Sequence, residues 1–243
     1  MGFLKENGFM KRSEINASIR SGEAFMAQCK FHLPEFAHWA LPDWQAMATP
    51  TAERNIFQIF DCQLGWDATD FGLGNFTKCG LLLFTIRNGK KANWASKEGK
   101  LYCEKIMVAT DGQETPMHFH WTKMEDIINR GGAPLHVTVH TSDPGDESVD
   151  MVSVVNVTID GVEKAVPAGT VIVLTPGQSI TLTSGVYHTF RPVGGTTLIG
   201  EVSIVNDDDT DNRFANDLPR FPTIIEDEPP YRLLMNDYAT FLK

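Results

Sequence analysis

The sequence predicts a mainly β chain, a sandwich, jelly roll or barrel preceded by an N-terminal helical segment. Three observations carry this. From residue 70 onward, short runs rich in β-branched residues follow one another, with no helical pattern between most of them. Asp-Gly, Pro-Gly and Gly-Gly pairs punctuate those runs, and such pairs are turn signals. Helical character is confined to the first sixty residues. A chain of 243 residues has the length of one large β-barrel domain or two small ones.

The elements follow in order. Residues 1–9, MGFLKENGF, read as a loosely ordered extension before Met10. Residues 10–243 read as a single domain, with a helical and connecting layer over 12–60, a barrel over 70–206 and a C-terminal extension over 207–243. Ser13 is expected to cap a helix from Glu14, with Ile15, Ile19, Met26 and Cys29 near one face. Pro34 and Pro42 then break an aromatic-rich segment. GLLLFTIRNG (80–89) reads as a strand ending in an Asn-Gly turn, and LYCEKIMVATDGQ as one ending in Asp-Gly. TPMHFHW, APLHVTVHT, VSVVNVTIDG, GTVIVLTPG, QSITLTS, VYHTFRPVGG and TTLIGEVSIVN read as further strands. NDDDTD (206–211) falls where a loop would follow the last of them.

The formal net charge is -10. An acidic surface argues against nucleic acid, whose phosphates demand a basic face, and permits a neutral substrate such as a sugar. The four cysteines, Cys29, Cys62, Cys79 and Cys103, are scattered with no CxxC pair. They predict free thiols in a reducing cytoplasm rather than a disulfide framework or a thiolate metal site. No apolar run reaches the roughly 18 residues of a membrane span, and no secretory leader is recognisable, so no membrane association is expected.

Chemistry concentrates in GQETPMHFHWTKMEDIINRGG, residues 112–132. One intervening residue, Phe119, puts His118 and His120 on the same strand face, because side chains alternate with a period of two. Glu125 follows five residues later. Imidazoles with a carboxylate suit Mn²⁺, Fe²⁺, Co²⁺, Ni²⁺ or Zn²⁺. Core or surface histidines are the bland alternative, since HxH often arises by chance. His136 and His140 also share a strand face, but no suitably spaced carboxylate joins them, so hydrogen-bonded strand histidines are expected there. Packing accounts for His32 and His38.

The spacing Gly112-x5-His118-x-His120-x4-Glu125-x5-Gly131, followed by Gly177-x5-Thr183-x-Gly185-x2-His188, resembles the two motifs of the cupin family. That resemblance implies a double-stranded β-helix, a jelly-roll barrel with His188 as a fourth ligand beside His118, His120 and Glu125. The second motif departs from the pattern, with Thr183 where cupins usually carry Pro and Pro192 where they carry Asn. More specifically, MKRSEIN, MHFHWTKMEDIINRGG, GVYHTFRP and GEVSIVNDDDTDNRF, with the closing EDEPPYRLL, resemble the D-lyxose isomerase family. The resemblance runs from Met10 to the C-terminal region. It implies a metal-dependent aldose–ketose isomerase using Mn²⁺, interconverting D-lyxose and D-xylulose with D-mannose and D-fructose as a side pair, and built as a homodimer.

For that chemistry Glu201 is the first candidate base, brought toward the metal by a hairpin turning at Gly194-Gly195; a salt-bridged strand carboxylate is the alternative. Lys105 shares a strand face with Cys103 and Met107 and is a second catalytic candidate, although exposure is the simpler expectation for a strand lysine. Asp211 and Arg213 are candidate sugar contacts, against a solvated acidic loop. Trp121 and Phe190 are candidate contacts too, against plain aromatic packing. A cupin oxygenase using the same ligands, or a sugar-binding module without turnover, are the rival functions. No basic helical segment suggests a DNA-binding regulator.

Overall fold

A computed structural model describes residues 9–51 and 54–242. In chain order the elements are β1 (Phe9–Lys11), α1 (Arg12–Gln28), α2 (Leu41–Ala48), α3 (Phe57–Asp61), β2 (Gly65–Thr69), β3 (Leu81–Arg87), β4 (Tyr102–Ala109), β5 (His118–His120) and β6 (Glu125–Gly132). Then come β7 (Leu135–Ser142), β8 (Val149–Asp150), β9 (Val155–Ile159), β10 (Val162–Val166), β11 (Thr170–Leu174), β12 (Ser179–Leu182), β13 (Val186–Pro192), β14 (Thr197–Ile204), β15 (Asn212–Phe214), β16 (Thr223–Ile225) and α4 (Tyr238–Phe241). No helix among the described residues is long and apolar enough to cross a membrane.

Two antiparallel sheets enclose the main core. The larger has the order β10-β9-β12-β6-β14-β4-β3-β2, and the smaller β11-β7-β13-β5-β15 with β8 beside β7. Leu83, Met107, Ile127 and Ile199 of the larger sheet meet Val137, Val139, Ile172 and Phe190 of the smaller. Those residues sit at every second position of their strands, so alternation directs them inward. The jelly-roll expectation is borne out.

Helix α1 covers the outer face of the larger sheet. Ile15, Ile19 and Met26 pack with Leu82, Phe84, Ile106, Val108 and Leu198. The helix starts two residues before the sequence suggests, and Ser13 does not cap it. Glu14 Oε2 accepts from the Lys11 backbone N–H at 3.1 Å, whereas Ser13 Oγ donates to Asp227 at 2.7 Å. The reason for the early start is Arg12, fully buried between Glu226 (2.6 Å) and Asp237 (2.9 Å). The C-terminal region is thereby tied to α1, and β16 pairs in parallel with β1. Residues 1–8 of the expected extension lie outside the described residues; Phe9 already belongs to β1.

Three strand assignments differ from the sequence reading. GWDAT forms β2, before the expected barrel start at residue 70; it is buried at all five positions, so no alternation marks it. EDIINRGG, not among the runs read as strands, forms the whole of β6, with Glu125 at its start. Residues 212–214 of the expected C-terminal extension join the smaller sheet as β15, against β5.

Candidate metal centre and active-site cavity

The register of the smaller sheet builds the centre. His118 and His188 are directly opposed across β5 and β13. His120 projects from the same face of β5, and His188 shares the inward face of β13 with Phe190. Each ring has one nitrogen committed to the backbone: His118 Nδ1 donates to Pro116 O (2.8 Å), His120 Nδ1 to Asp211 O (3.1 Å) and His188 Nδ1 to Val186 O (3.0 Å). A carbonyl only accepts, so Nδ1 must carry the hydrogen, and every Nε2 is left with a free lone pair. The ligating nitrogens of the three rings lie within 4.8 Å of one another.

Glu125 enters from the larger sheet, at the start of β6. Its Oε1 stands 3.0 Å from His188 Nε2 and 3.4 Å from His120 Nε2. Glu125 Oε1 and His188 Nε2 are buried and lack a geometrically sound hydrogen bond among the described residues. Two buried acceptors facing a common point are costly unless a cation lies between them. Ligands roughly 2.1 Å from one ion stand roughly 3–4 Å apart, as Glu125 Oε1 does from His188 and His120 Nε2. The residues therefore fit a divalent metal.

The electrostatics agree. Burial, with the neighbouring imidazoles, holds His118 well below the ordinary histidine range. Burial and Lys123 hold His120 down as well. Both rings are thus in the neutral, ligating form. Burial alone would raise the Glu125 carboxyl, but the Lys123 ammonium overcomes it and holds it well below the usual range.

The cavity around these donors is narrow, with a free volume of about 50 Å³. Phe71, Leu81, Leu83, Met107, Phe190 and Phe214 form its apolar wall. Its polar groups form a chain of alternating charge. Glu125 meets Lys123 Nζ at 2.6 Å, Lys123 meets Glu201 at 2.9 Å, and Glu201 meets Lys105 at 3.6 Å. Lys105 then meets Asp208 at 3.5 Å, and Asp208 meets Arg220 at 3.5 Å.

A family model, D-lyxose isomerase, matches residues 10–238. This chain belongs to the D-lyxose isomerase family. A D-lyxose/D-mannose isomerase of Serratia proteamaculans is 45% identical over 236 residues, spanning 96% of this chain and 100% of that protein. Its counterpart in Escherichia coli O157:H7 is 45% identical over 234 residues, at 96% and 100% coverage. Among solved structures, the L-ribose isomerase of Cellulomonas parahominis aligns with a TM-score of 0.56 at 17% identity, covering 90% of this chain and 100% of that one. The Acinetobacter sp. DL28 L-ribose isomerase gives 0.56 at 16%, covering 90% and 99%. At these identities the structural likeness speaks for the fold.

Within this family member the sequence candidates divide. His118, His120, Glu125, His188, Glu201, Lys105 and Phe190 all line the cavity. Lys105 is not exposed, as a strand lysine is expected to be: it is 3% accessible, and its Nζ donates to Asn206 Oδ1 at 2.7 Å. Glu201 arrives by another route than a hairpin with β13. At Gly194-Gly195 the chain crosses to the other sheet, where β14 pairs with β4 and β6. Glu201 then reaches the cavity because it opposes Lys105 and Ile127, both inward-facing.

Asp211, Arg213 and Trp121 do not line the cavity. Asp211 is buried behind it. Its carboxylate accepts from Thr122 N (2.9 Å) and Lys123 N (3.0 Å), which fixes the turn between His120 and Glu125. Arg213 opposes Phe119 in register and so points to the outer face, where Nη2 donates to Glu147 O at 3.0 Å. Trp121 lies over Phe119 on that same outer side, with ring centroids 4.7 Å apart, and is 46% exposed. His140 is buried, with Nδ1 3.3 Å from Asp150 O.

Lys123, Asp208 and Arg220 were not singled out by sequence. One signal was available for Lys123: it sits two residues before Glu125, within the motif. No comparable local signal marks Asp208 or Arg220.

Proposed function

We propose that this chain is a metal-dependent aldose–ketose isomerase, acting chiefly on D-lyxose and D-xylulose and secondarily on D-mannose and D-fructose. The convergence of three free Nε2 atoms and Glu125 Oε1 in one cavity with Glu201 carries this reading, in a chain of this family. His118, His120, Glu125 and His188 would hold the metal, with Mn²⁺ preferred and Co²⁺, Fe²⁺, Zn²⁺ or Ni²⁺ as alternatives. When bound, a divalent ion supplies Lewis-acid stabilisation of the charge that develops on O1 and O2 of the sugar.

Glu201 takes the proton from C2 of the aldose and returns it to C1, while the hydroxyl proton of O2 passes to O1. Lys123 stays an ammonium, because Glu125 and Glu201 raise its pKa despite burial. A permanent cation cannot serve as the base; it orients both carboxylates instead. Lys105 supports Glu201 from the other side. Phe190 and its apolar neighbours exclude water and pack on the carbon skeleton. Pairing of two copies and a cytoplasmic location belong to the same reading, supported by the family likeness and the four free thiols.

Incubating the Mn²⁺-loaded protein with D-lyxose and D-mannose, followed by product identification, tests the activity. Chelation should abolish turnover and Mn²⁺ should restore it. Glu201→Gln should keep its metal content while losing at least about 100-fold in kcat, the usual scale of general-base catalysis. Full activity in that variant would exclude Glu201 as the base.

A further inference from the structure

Asp67 lies outside the cavity, on β2 at the edge of the larger sheet, four strands from β6, which carries Glu125. It is buried, and its Oδ2 accepts from Arg220 Nη2 at 2.8 Å. The same Nη2 stands 3.5 Å from Asp208. The Arg220 guanidinium also lies over the Phe221 ring, 4.7 Å from its centroid. Three contacts thus fix the group in one plane at the cavity wall.

Its other terminal nitrogen is free. Arg220 Nη1 is buried and has no hydrogen-bond partner among the described residues. The other two cations of the cavity are committed: Lys123 to Glu125 and Glu201, and Lys105 to Asn206 and its neighbouring carboxylates. Arg220 Nη1 is therefore an unsatisfied cationic donor at the end of the ion-pair chain remote from Glu125. A buried guanidinium N–H needs an acceptor. In a cavity already rich in carboxylates, a neutral hydroxyl oxygen is a better match than another anion.

We propose that Arg220 Nη1 donates to the terminal hydroxyl of the open-chain sugar, and that Asp67 is a positioning residue that holds the guanidinium for that contact. This rests on the isomerase reading, in which C1 and C2 lie at the metal end. Asp67 then governs how well a sugar is gripped at its far end and leaves the reacting carbons alone.

The test pairs a substitution with a deletion in the substrate. Steady-state kinetics of the Mn²⁺-loaded Asp67→Asn protein are measured with D-lyxose and with 5-deoxy-D-lyxose, which lacks the terminal hydroxyl. The expected result is a KM for D-lyxose raised at least tenfold, with kcat changed less than threefold and metal content unchanged. For 5-deoxy-D-lyxose the same substitution should move KM less than twofold. A purely structural Asp67 would penalise both sugars alike, and that outcome overturns the assignment. So does an unchanged KM, or a loss confined to kcat. If Asp67→Asn does not fold, Arg220→Lys carries the same comparison, with the same supporting and overturning results. If the wild-type protein turns over neither sugar, the isomerase reading fails by itself. Calorimetric binding of D-lyxose against 5-deoxy-D-lyxose then decides the Arg220 contact independently, and equal loss for both, or no binding of either, overturns it.

Discussion

Lys123 Nζ stands 2.6 Å from Glu125 and 2.9 Å from Glu201, so one ammonium neutralises two buried carboxylates. Removing one member of a buried pair leaves the other charge without compensation, at roughly 3–5 kcal/mol. Lys123→Met should therefore lower the urea stability of the chelator-treated protein by about that amount. The loss should be smaller with saturating Mn²⁺, because a bound cation gives Glu125 a second partner. Equal losses in both conditions would show that Glu125 does not ligate the ion. At this scale the sequence was legible where chemistry imposes a spacing. His118 and His120 stand out because ligands on one strand must share its face, Glu125 because a carboxylate follows them closely, and His188 through the resemblance to the second cupin motif. Lys123, Asp208 and Arg220 do not, since a buried lysine and a surface lysine look alike until the sheet that buries them is known. Arg213 shows the converse. Its strand was not foreseen, so its parity, and hence its outward direction, could not be read.

The string EDIINRGG illustrates how one element serves both architecture and chemistry. Its first residue, Glu125, faces the metal centre, but its last four shape the strand end. Asn129 Nδ2 donates to Ala133 O (3.0 Å) and Leu174 O (2.9 Å), and its Oδ1 accepts from Gly131 N (3.0 Å). The register against β14 slips here, with Leu198 opposite Gly131 and Ile199 opposite Asn129, so Arg130 is the extra residue of a β-bulge. Gly132 adopts φ +95, and a Cβ there would lie 2.2 Å from Thr196 O, so no other residue fits. The most distinctive part of the motif by sequence is thus in large part a folding device. Asn129→Ala should cost about 1–3 kcal/mol in urea unfolding, by leaving buried backbone groups unpaired. Metal content at saturating Mn²⁺ should be unchanged, because the bulge lies at the opposite end of β6 from Glu125. Loss of metal without loss of stability would refute this division. The strand was hard to read for the same reason: a polar start and a glycine end interrupt the alternation that identifies strands elsewhere.

For the molecule as a whole, strand content was visible in the β-branched runs, whereas closure was not. Which strands pair, and that β13 and β14 part company at Gly194-Gly195, depends on contacts far apart in sequence. The closed fold buries a row of charges between its sheets, and this makes its stability respond to acid. A carboxyl whose pKa is lower in the folded than in the unfolded state contributes stability that is fully present above the unfolded value. That contribution is lost as pH falls through the folded value. Asp208 is such a group: burial would raise it, but Lys105 and Arg220 overcome that and hold it below its ordinary value of 3.8. Asp67 has the opposite sign. Burial raises it above 3.8, with Arg220 opposing, so keeping it charged weakens the fold at neutral pH and acid relieves that penalty. Asp208 should accordingly carry an acid loss beginning as pH drops below about 5 and growing towards pH 3. Urea midpoints of chelator-treated protein, measured from pH 6 to pH 3, check this. Asp208→Asn should be the weaker protein at pH 6, because Lys105 and Arg220 lose a partner, but its midpoint should fall less steeply, so the gap to wild type narrows with acid. Parallel curves would mean that the Asp208 charge is not lost in that window and that acid sensitivity resides elsewhere in the fold.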